Sequence, residues 1–383
     1  MPAKQYDVIV VGAGPAGSMA ALHAARSGAK TALIEKMRLP REKLCGGGVS
    51  AWVIKKLRIP SNIIERTIDQ AQVVAGNKVL PPVPWPETTA WRTVMRAKFD
   101  QYLAMMAVGA GATLIQSTPV ESVIFDDENK VCGVKTATRG AIKSKVVVGC
   151  DGVSSTIART AGFWGRWFDN DAAEWRKRCA YCTEAHFRLP DEDIGKRMGN
   201  TLYFFYEREL MGYHWLFPKK GIITVGTGSA TTRMTKKPIS YFNDFIKDNP
   251  IATNLLKDAT LIGKVRGAYI PFSGTFTPSY RDGVILAGDS AGMVGAVTGE
   301  GIYFAVRAGI AAGEVASQAA LSDNTSAGGL SAYEKRWKAE IGEHLETQVK
   351  FLQQTQNPLK AMSLYTSYSV QHQKELFPEQ GSI

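Results

Sequence analysis

Histidine is scarce in this chain, with five residues in 383 (His23, His186, His214, His344 and His372). No H-E-x-x-H pair and no Ser-His-Asp order can be assembled from them, which disfavours metal catalysis and hydrolysis. Cysteine is equally sparse. Cys45, Cys132, Cys150, Cys179 and Cys182 form no even, regularly spaced framework, which fits a reducing compartment. Cys179-x-x-Cys182 lacks both the second ligand pair of a zinc site and the βαβ surroundings of a thioredoxin motif, so paired structural thiols are the default reading and no metal is expected. No apolar run approaches the roughly 20 residues that a membrane-spanning helix needs. The opening MPAKQYD carries no basic-then-apolar leader, so a cytoplasmic protein without a signal peptide is expected. Acidic residues are in deficit, with 35 Asp and Glu against 46 Lys and Arg, for a net charge of +11. That balance attracts anionic membranes or diphosphates. Zinc-finger, homeodomain and RNP-like signatures are absent, so nucleic acid is not an expected partner.

What is present is glycine in ordered places. Residues 8–11 read as a buried parallel strand, and Gly12, Gly14 and Gly17 follow it directly as G-x-G-x-x-G. Gly12 permits the tight turn, Gly14 lets backbone N–H groups approach a pyrophosphate, and Gly17 lets the helix pack on the sheet. Pro15 and Ala16 open that helix, where phosphate rests on the positive end. A second strand, 30–34, delivers Glu35 and then Lys36 at the spacing where a carboxylate accepts the ribose hydroxyls of an adenosine. A 2′-phosphate would meet that carboxylate as a second anion. The adenosine end of NAD or FAD remains.

Two later segments separate these. Strand 146–149 ends at Asp151-Gly152 and a serine-rich turn into a helix near Ser154, a turn that in a flavin enzyme lies beside the pyrophosphate. Strand 284–287 ends at Gly288-Asp289, and small residues lead through Gly299 to a helix starting near Gly301 and Ile302. Asp289 can hold ribityl hydroxyls, and the helix N-terminus can face the pyrimidine side of an isoalloxazine ring. An NAD dehydrogenase has no use for this third element.

With these three fingerprints in this order, the chain resembles the flavoprotein group that includes p-hydroxybenzoate hydroxylase, over about 6–320. The resemblance implies FAD as cofactor and places Arg96, which opens the helix RAKFDQYLAMMAVGAGA, near the flavin. Within that group, LPREKLCGGGVS (39–50) is similar to the P-x-x-K-x-C-G-G-G segment of the geranylgeranyl reductase family. GYHWLFPKKGIITVGTGSA (212–230) is similar to its Y-x-W-x-F-P strand and V-G-x-G, and TGEGIYFA (298–305) to its SGEGIYFA. The implied fold is α/β, a Rossmann-like FAD-binding domain interleaved with an antiparallel β-sheet substrate domain and a helical C-terminal tail. The expected divisions are 1–70, 92–163 and 271–325 for FAD, 71–91 and 164–270 for substrate, and 326–383 for the tail. Strands are expected at 181–189, 201–206, 213–217 and 222–228. An amphipathic helix is expected at 331–355, and its basic start (Lys335, Arg336, Lys338) leaves open a peripheral membrane contact.

The implied activity is reduction of isolated C=C bonds in a geranylgeranyl or other polyprenyl chain. An isolated trisubstituted alkene has no carbonyl to polarise it, so hydride addition needs a proton at the less substituted carbon, in a dry, shaped site. Gly46, Gly47 and Gly48 let backbone come against a flat ring and put the Cys45 thiol beside it. Cys45 and Tyr213 are the candidate proton donors, Cys45, Gly46 and Gly47 the cofactor contacts, and Gly48, His214, Trp215 and Phe217 the substrate contacts. Trp215 and Phe217 share one strand face and could line an apolar tunnel or pack a core. A prenyl lipid, a prenyl diphosphate, a chlorophyll side chain and a quinone tail all present this alkene. NAD(P)H or a ferredoxin-like protein would supply electrons. The rival is a monooxygenase or halogenase of the same fold, since HWLFP is faintly similar to the halogenase W-x-W-x-I-P, with Tyr213 and Phe217 departing from it.

Overall fold

The computed structural model describes residues 5–371. His372, and the ends of the expected first and last divisions (1–4 and 372–383), lie outside the described residues. The chain forms two compact units, each assembled from three stretches of sequence.

The first unit contains the described residues up to Arg41, then Phe99–Trp175 and Pro271–Val349. Its centre is a parallel sheet in the order Val284–Leu286, Gly140–Gly149, Gln5–Val11, Thr31–Ile34, Thr113–Ile115. Strands buried on both faces must be apolar along their whole length, which is why they read as continuous hydrophobic runs. The early half of Gly140–Gly149 instead pairs antiparallel with Val131–Thr136, which pairs with Val120–Phe125. Helices Pro15–Arg26 and Ile302–Leu321 pack backbone to backbone, because a Cβ at Gly309 or Gly313 would strike the carbonyl oxygen of Ala16 or Ala20. The helix expected at 331–355 forms as Ala332–Trp337, one π turn at Lys338–Gly342, and Glu343–Thr355. The wide turn shifts the phase of the buried face. Tyr333, Trp337, Ile341 and Leu345 are buried as expected, but His344 and Gln348 follow them inward while Val349 and Leu352 are only half-buried. Its basic start is ion-paired along the surface, Arg336 with Glu314 and Glu340, and Lys338 with Glu334.

The second unit contains Glu42–Lys98, Arg176–Ile270 and the described residues from Lys350 onward. Its main sheet runs Thr260–Pro271, Cys179–Arg188, Ile222–Ala230, Gly212–Lys219, Thr201–Tyr206, Gln70–Ala75, Lys78–Val79. The middle of that sheet is antiparallel, while Gln70–Ala75 lies parallel to Thr201–Tyr206. The Pro-rich stretch contributes only the short exposed strand Val83–Pro84 at the edge, where a residue without N–H is tolerated. One face is covered by helices Asp191–Met198, Pro238–Asp248 and Pro250–Leu255, in a region (164–270) where the sequence suggests only strands and turns. Pro238 and Pro250 pre-set the first helical φ, and the Asn249 side chain accepts the N–H groups of Ile251 and Ala252.

The units divide at other places than the expected boundaries. Gly48–Val49 and Ile64–Ile68 both pair with Trp91–Val94 in a small sheet, which draws 42–70 into the second unit. Trp164 stacks on Trp175, 5.4 Å between centroids, and keeps that segment in the first. The tail divides between the two units at Val349. Among the described residues no helix is long and apolar enough to cross a membrane.

Candidate active site

In the first unit, strand Gln5–Val11 passes into Gly12 at φ 99°, a left-handed conformation that glycine enters at little cost. A Cβ there would strike the Cys150 carbonyl, and a Cβ at Gly17 would strike the Gly12 carbonyl. Gly14 differs. The nearest heavy atom to a Cβ built on it is Arg41 Nη2 at 3.9 Å, and the helix Pro15–Arg26 starts there with no side-chain cap. Uncapped N–H groups with room in front of them are an anion cradle.

Glu35 is buried and already committed on both oxygens. Oε2 accepts the Ala13 N–H at 2.9 Å and Oε1 accepts the Met37 N–H at 3.1 Å, with Arg41 Nε 3.5 Å from Oε2. Each oxygen keeps a lone pair for a further donor. Lys36 is exposed. The Asp151 carboxylate accepts the Ser155 hydroxyl at 2.5 Å and the Ile157 N–H at 3.1 Å, so it organises the start of Thr156–Thr160. Burial pushes its carboxyl above the usual range, against those two hydrogen bonds. Gly152 beside it has open space at its Cβ position.

A Cβ at Gly288 would sit 3.0 Å from the Ala16 Cβ, and Asp289 Oδ1 lies 3.5 Å from where a Cβ of Gly301 would sit. The first glycine turn, the Gly288-Asp289 turn and the start of Ile302–Leu321 therefore converge, and that helix start also lacks a side-chain cap. Gln348 holds the loop before it: its Oε1 accepts the N–H of Val297 at 3.1 Å and of Thr298 at 3.0 Å. Between Gly299 and Gly301, burial pushes the Glu300 carboxyl up to about 7.

In the second unit the glycines of Cys45-Gly-Gly-Gly meet side chains from distant strands. A Cβ at Gly46 would sit 2.7 Å from the Phe217 ring and 3.3 Å from Trp215 Nε1, and one at Gly48 would sit 3.1 Å from the Trp91 ring. Gly47 has φ 75°, and its carbonyl accepts the Val94 N–H at 2.9 Å. The loop is tied from below by two charges. Glu184 Oε1 accepts the Cys45 N–H at 3.0 Å, and Lys219 Nζ donates to the Gly46 carbonyl at 2.7 Å and to Thr224 Oγ1 at 2.5 Å. Burial pushes Glu184 up to about 7, opposed by the charges of Lys219 and Arg96. Burial pulls Lys219 down to about 8, opposed by Glu184.

Strand register explains the V-G-x-G motif. Glu184, Gly226 and Trp215 lie side by side across three strands, and Cys182, Gly228 and Tyr213 form the adjacent row. The Trp215 indole lies over Gly226, where any Cβ would collide with it, and a Cβ at Gly228 would sit 3.6 Å from its ring. This brings its N–H towards Glu184, helping to hold the carboxylate charge, yet neither Trp215 Nε1 nor Glu184 Oε2 completes a hydrogen bond.

The structure thus gathers Cys45–Gly48, Tyr213, Trp215 and Phe217, but not His214. Period-two alternation turns His214 to the opposite sheet face, where it stacks on Phe245 at 4.0 Å and bonds Thr227 Oγ1 at 2.7 Å. Trp215 and Phe217 are 8% exposed, buried under the glycine loop, while Tyr213 is half-buried. The pairing read into Cys179 and Cys182 is not formed, because an odd separation along one strand places them on opposite faces. Burial pushes the Cys182 thiol up to about 12. Glu184 and Lys219 went unread in the sequence. Their signal was a charge at an inward position of a strand, Glu184 two residues from Cys182 and Lys219 two from Phe217.

A glycine turn under a parallel sheet, with two further turns converging on it, defines the class of flavin-linked oxidoreductases. Residues 7–213 match the family model described as FAD dependent oxidoreductase. The chain is 35% identical over 349 residues to a digeranylgeranylglycerophospholipid reductase of Methanocaldococcus jannaschii, covering 90% of this chain and 85% of the relative. A reductase of the same name from Methanococcus vannielii is 33% identical over 91% of this chain and 86% of its own. The chain belongs to the geranylgeranyl reductase family of FAD-dependent oxidoreductases. A geranylgeranyl bacteriochlorophyll reductase-like protein of Thermoplasma acidophilum superposes with a TM-score of 0.83 at 25% identity, over 98% of both chains. A flavin-dependent brominase shares the fold alone, with a TM-score of 0.73 at 19% identity over 96% of this chain and 90% of its own.

Proposed function

We propose that this protein saturates isolated C=C bonds in the geranylgeranyl chains of a glycerophospholipid, with FAD as its bound redox cofactor. The observation that carries the reading is the Cys45–Gly48 backbone seated on the Trp215 and Phe217 rings, beside the half-buried Tyr213 and Cys182. Family membership supplies the substrate class, through what the relatives are named for.

The residues fit FAD. Gly12, Gly14, Pro15, Ala16 and Gly17 would hold its pyrophosphate, Glu35 and Lys36 its adenosine end, and Asp151, Gly152, Gly288 and Asp289 its central part. In the first unit Gly299, Gly301 and Ile302 would hold the flavin, and in the second Arg96 and the Cys45–Gly47 backbone are its candidate contacts. Reduced FAD supplies a hydride equivalent. The aromatic face around Tyr213 excludes water and fixes the extended chain, so that one alkene at a time is presented. Cys45 orients the reacting segment, its Sγ held by the Gly47 N–H at 3.4 Å. NAD(P)H or a ferredoxin-like protein delivers the electrons, and the net charge of +11 favours meeting the substrate at an anionic membrane surface.

The test is anaerobic incubation of the dithionite-reduced protein with a digeranylgeranyl glycerophospholipid, followed by mass measurement. Added pairs of hydrogens are expected. No change without oxygen, with an added oxygen or halogen once air and halide are present, would overturn the reading in favour of a monooxygenase or halogenase.

A further inference from the structure

Behind the Cys45 loop lies an acid that no motif accounts for. Glu184 is 2% exposed, its Oε1 is occupied by the Cys45 N–H, and its Oε2 has no hydrogen-bond partner. An unpaired buried carboxylate oxygen is costly unless the group carries a proton or meets a ligand. The surroundings are built to tolerate both forms. Lys219, Arg96 and the Trp215 N–H favour the carboxylate, while burial favours the acid, and the balance holds the group at about 7. His186 Nε2, on the same strand, is 3.9 Å from Oε1, and the thiols of Cys45 and Cys182 are the other titratable neighbours.

We propose that Glu184 is the acid of this enzyme, delivering through Oε2 the proton that the alkene takes up at its less substituted carbon. This rests on the reductase reading. The alkene π pair forms the new C–H bond as the Glu184 O–H bond breaks, and bound reduced FAD would supply the hydride equivalent that the adjoining tertiary carbon needs. Two hydrogens would enter at the cost of two electrons from the bound cofactor, and Glu184 is left as a carboxylate beside Lys219 and Arg96. Solvent reprotonates it after product leaves. Gly226 has a part in this, since its missing side chain is what lets Trp215 lie against the acid.

The experiment compares wild type with Glu184→Gln, whose amide oxygen still accepts the Cys45 N–H. Single-turnover alkene reduction by the pre-reduced holoenzyme should fall by about 100-fold, with substrate affinity little changed. The wild-type rate should fall as pH rises through the neutral range, where the acid loses its proton. Independently of turnover, infrared difference spectra should show a protonated carboxyl band in wild type that titrates near neutrality and is missing from the variant. A wild-type rate that does not fall up to pH 9, or no such band at pH 6, overturns the assignment even if Glu184→Gln does not fold. A reducing wild type matched by Glu184→Gln overturns the acid alone. A wild type that shows the band but reduces no prenyl lipid overturns the reductase reading and the acid's substrate with it.

Discussion

The glycines of 12–17 and those of 45–48 answer to different neighbours. In the first loop Gly17 avoids the Gly12 carbonyl of its own strand–turn–helix unit, Gly12 avoids the carbonyl of Cys150 at the end of the neighbouring strand in the sheet, and Gly14 faces only the Arg41 side chain, 3.9 Å from a Cβ built on it. In the second loop Gly46 and Gly48 avoid the rings of Phe217 and Trp91, far along the chain. A loop of the first kind is crowded chiefly by backbone, its own and that of the neighbouring parallel strand, and is a device that any dinucleotide can use. The second is half of a site whose other half is a sheet, and it has no meaning without Trp215, Phe217 and Lys219.

Substitutions can sharpen that contrast. Gly17→Ala should have the largest effect, since its Cβ meets a carbonyl that cannot move without the Gly12 turn. A loss of about 3 kcal/mol and failure to retain FAD are expected, read by thermal unfolding and flavin absorbance. Gly226→Ala should cost about 2 kcal/mol by displacing the Trp215 indole, while flavin content is retained. Loss of flavin in that variant would mean the two loops are not separable. Gly14→Ala should be the mildest: φ there is −84° and the Cβ has room, so stability should hold while FAD dissociation rises about 10-fold, or about 1.4 kcal/mol. An unfolded Gly14→Ala protein would show that Gly14 serves packing and not a ligand.

Glu184 and His214 show where sequence reading stopped. His214 adjoins Trp215 in the sequence, but adjacent strand residues face opposite ways, and the face that holds His214 is covered by Pro238–Asp248, a helix that the strand pattern of this region does not announce. Glu184 stood in a plain strand, YCTEAHF, with no motif about it. The role proposed for it rests on lateral register with Gly226 and Trp215, which no local pattern records. The π turn in the tail is a similar case. It moves Gln348 inward to hold the loop before Gly299, where a regular helix would have presented Val349 and Leu352.

By itself the sequence determined the strand–turn–helix frame that is proposed to hold the cofactor. The strand runs, the glycine turn, the Asp151 and Asp289 turns and their following helices are largely local features, set by φ, by the absence of a Cβ, by the Asp151 and Ser155 caps and, at Pro15–Arg26 and Ile302–Leu321, by uncapped N–H groups. It also carried the family, through short motifs in fixed order. Only the tertiary structure decided which side chains surround Cys45. Burying Glu184 and Lys219 beneath the same loop requires strands far apart in the chain to come into register, and only that burial moves both groups towards neutrality.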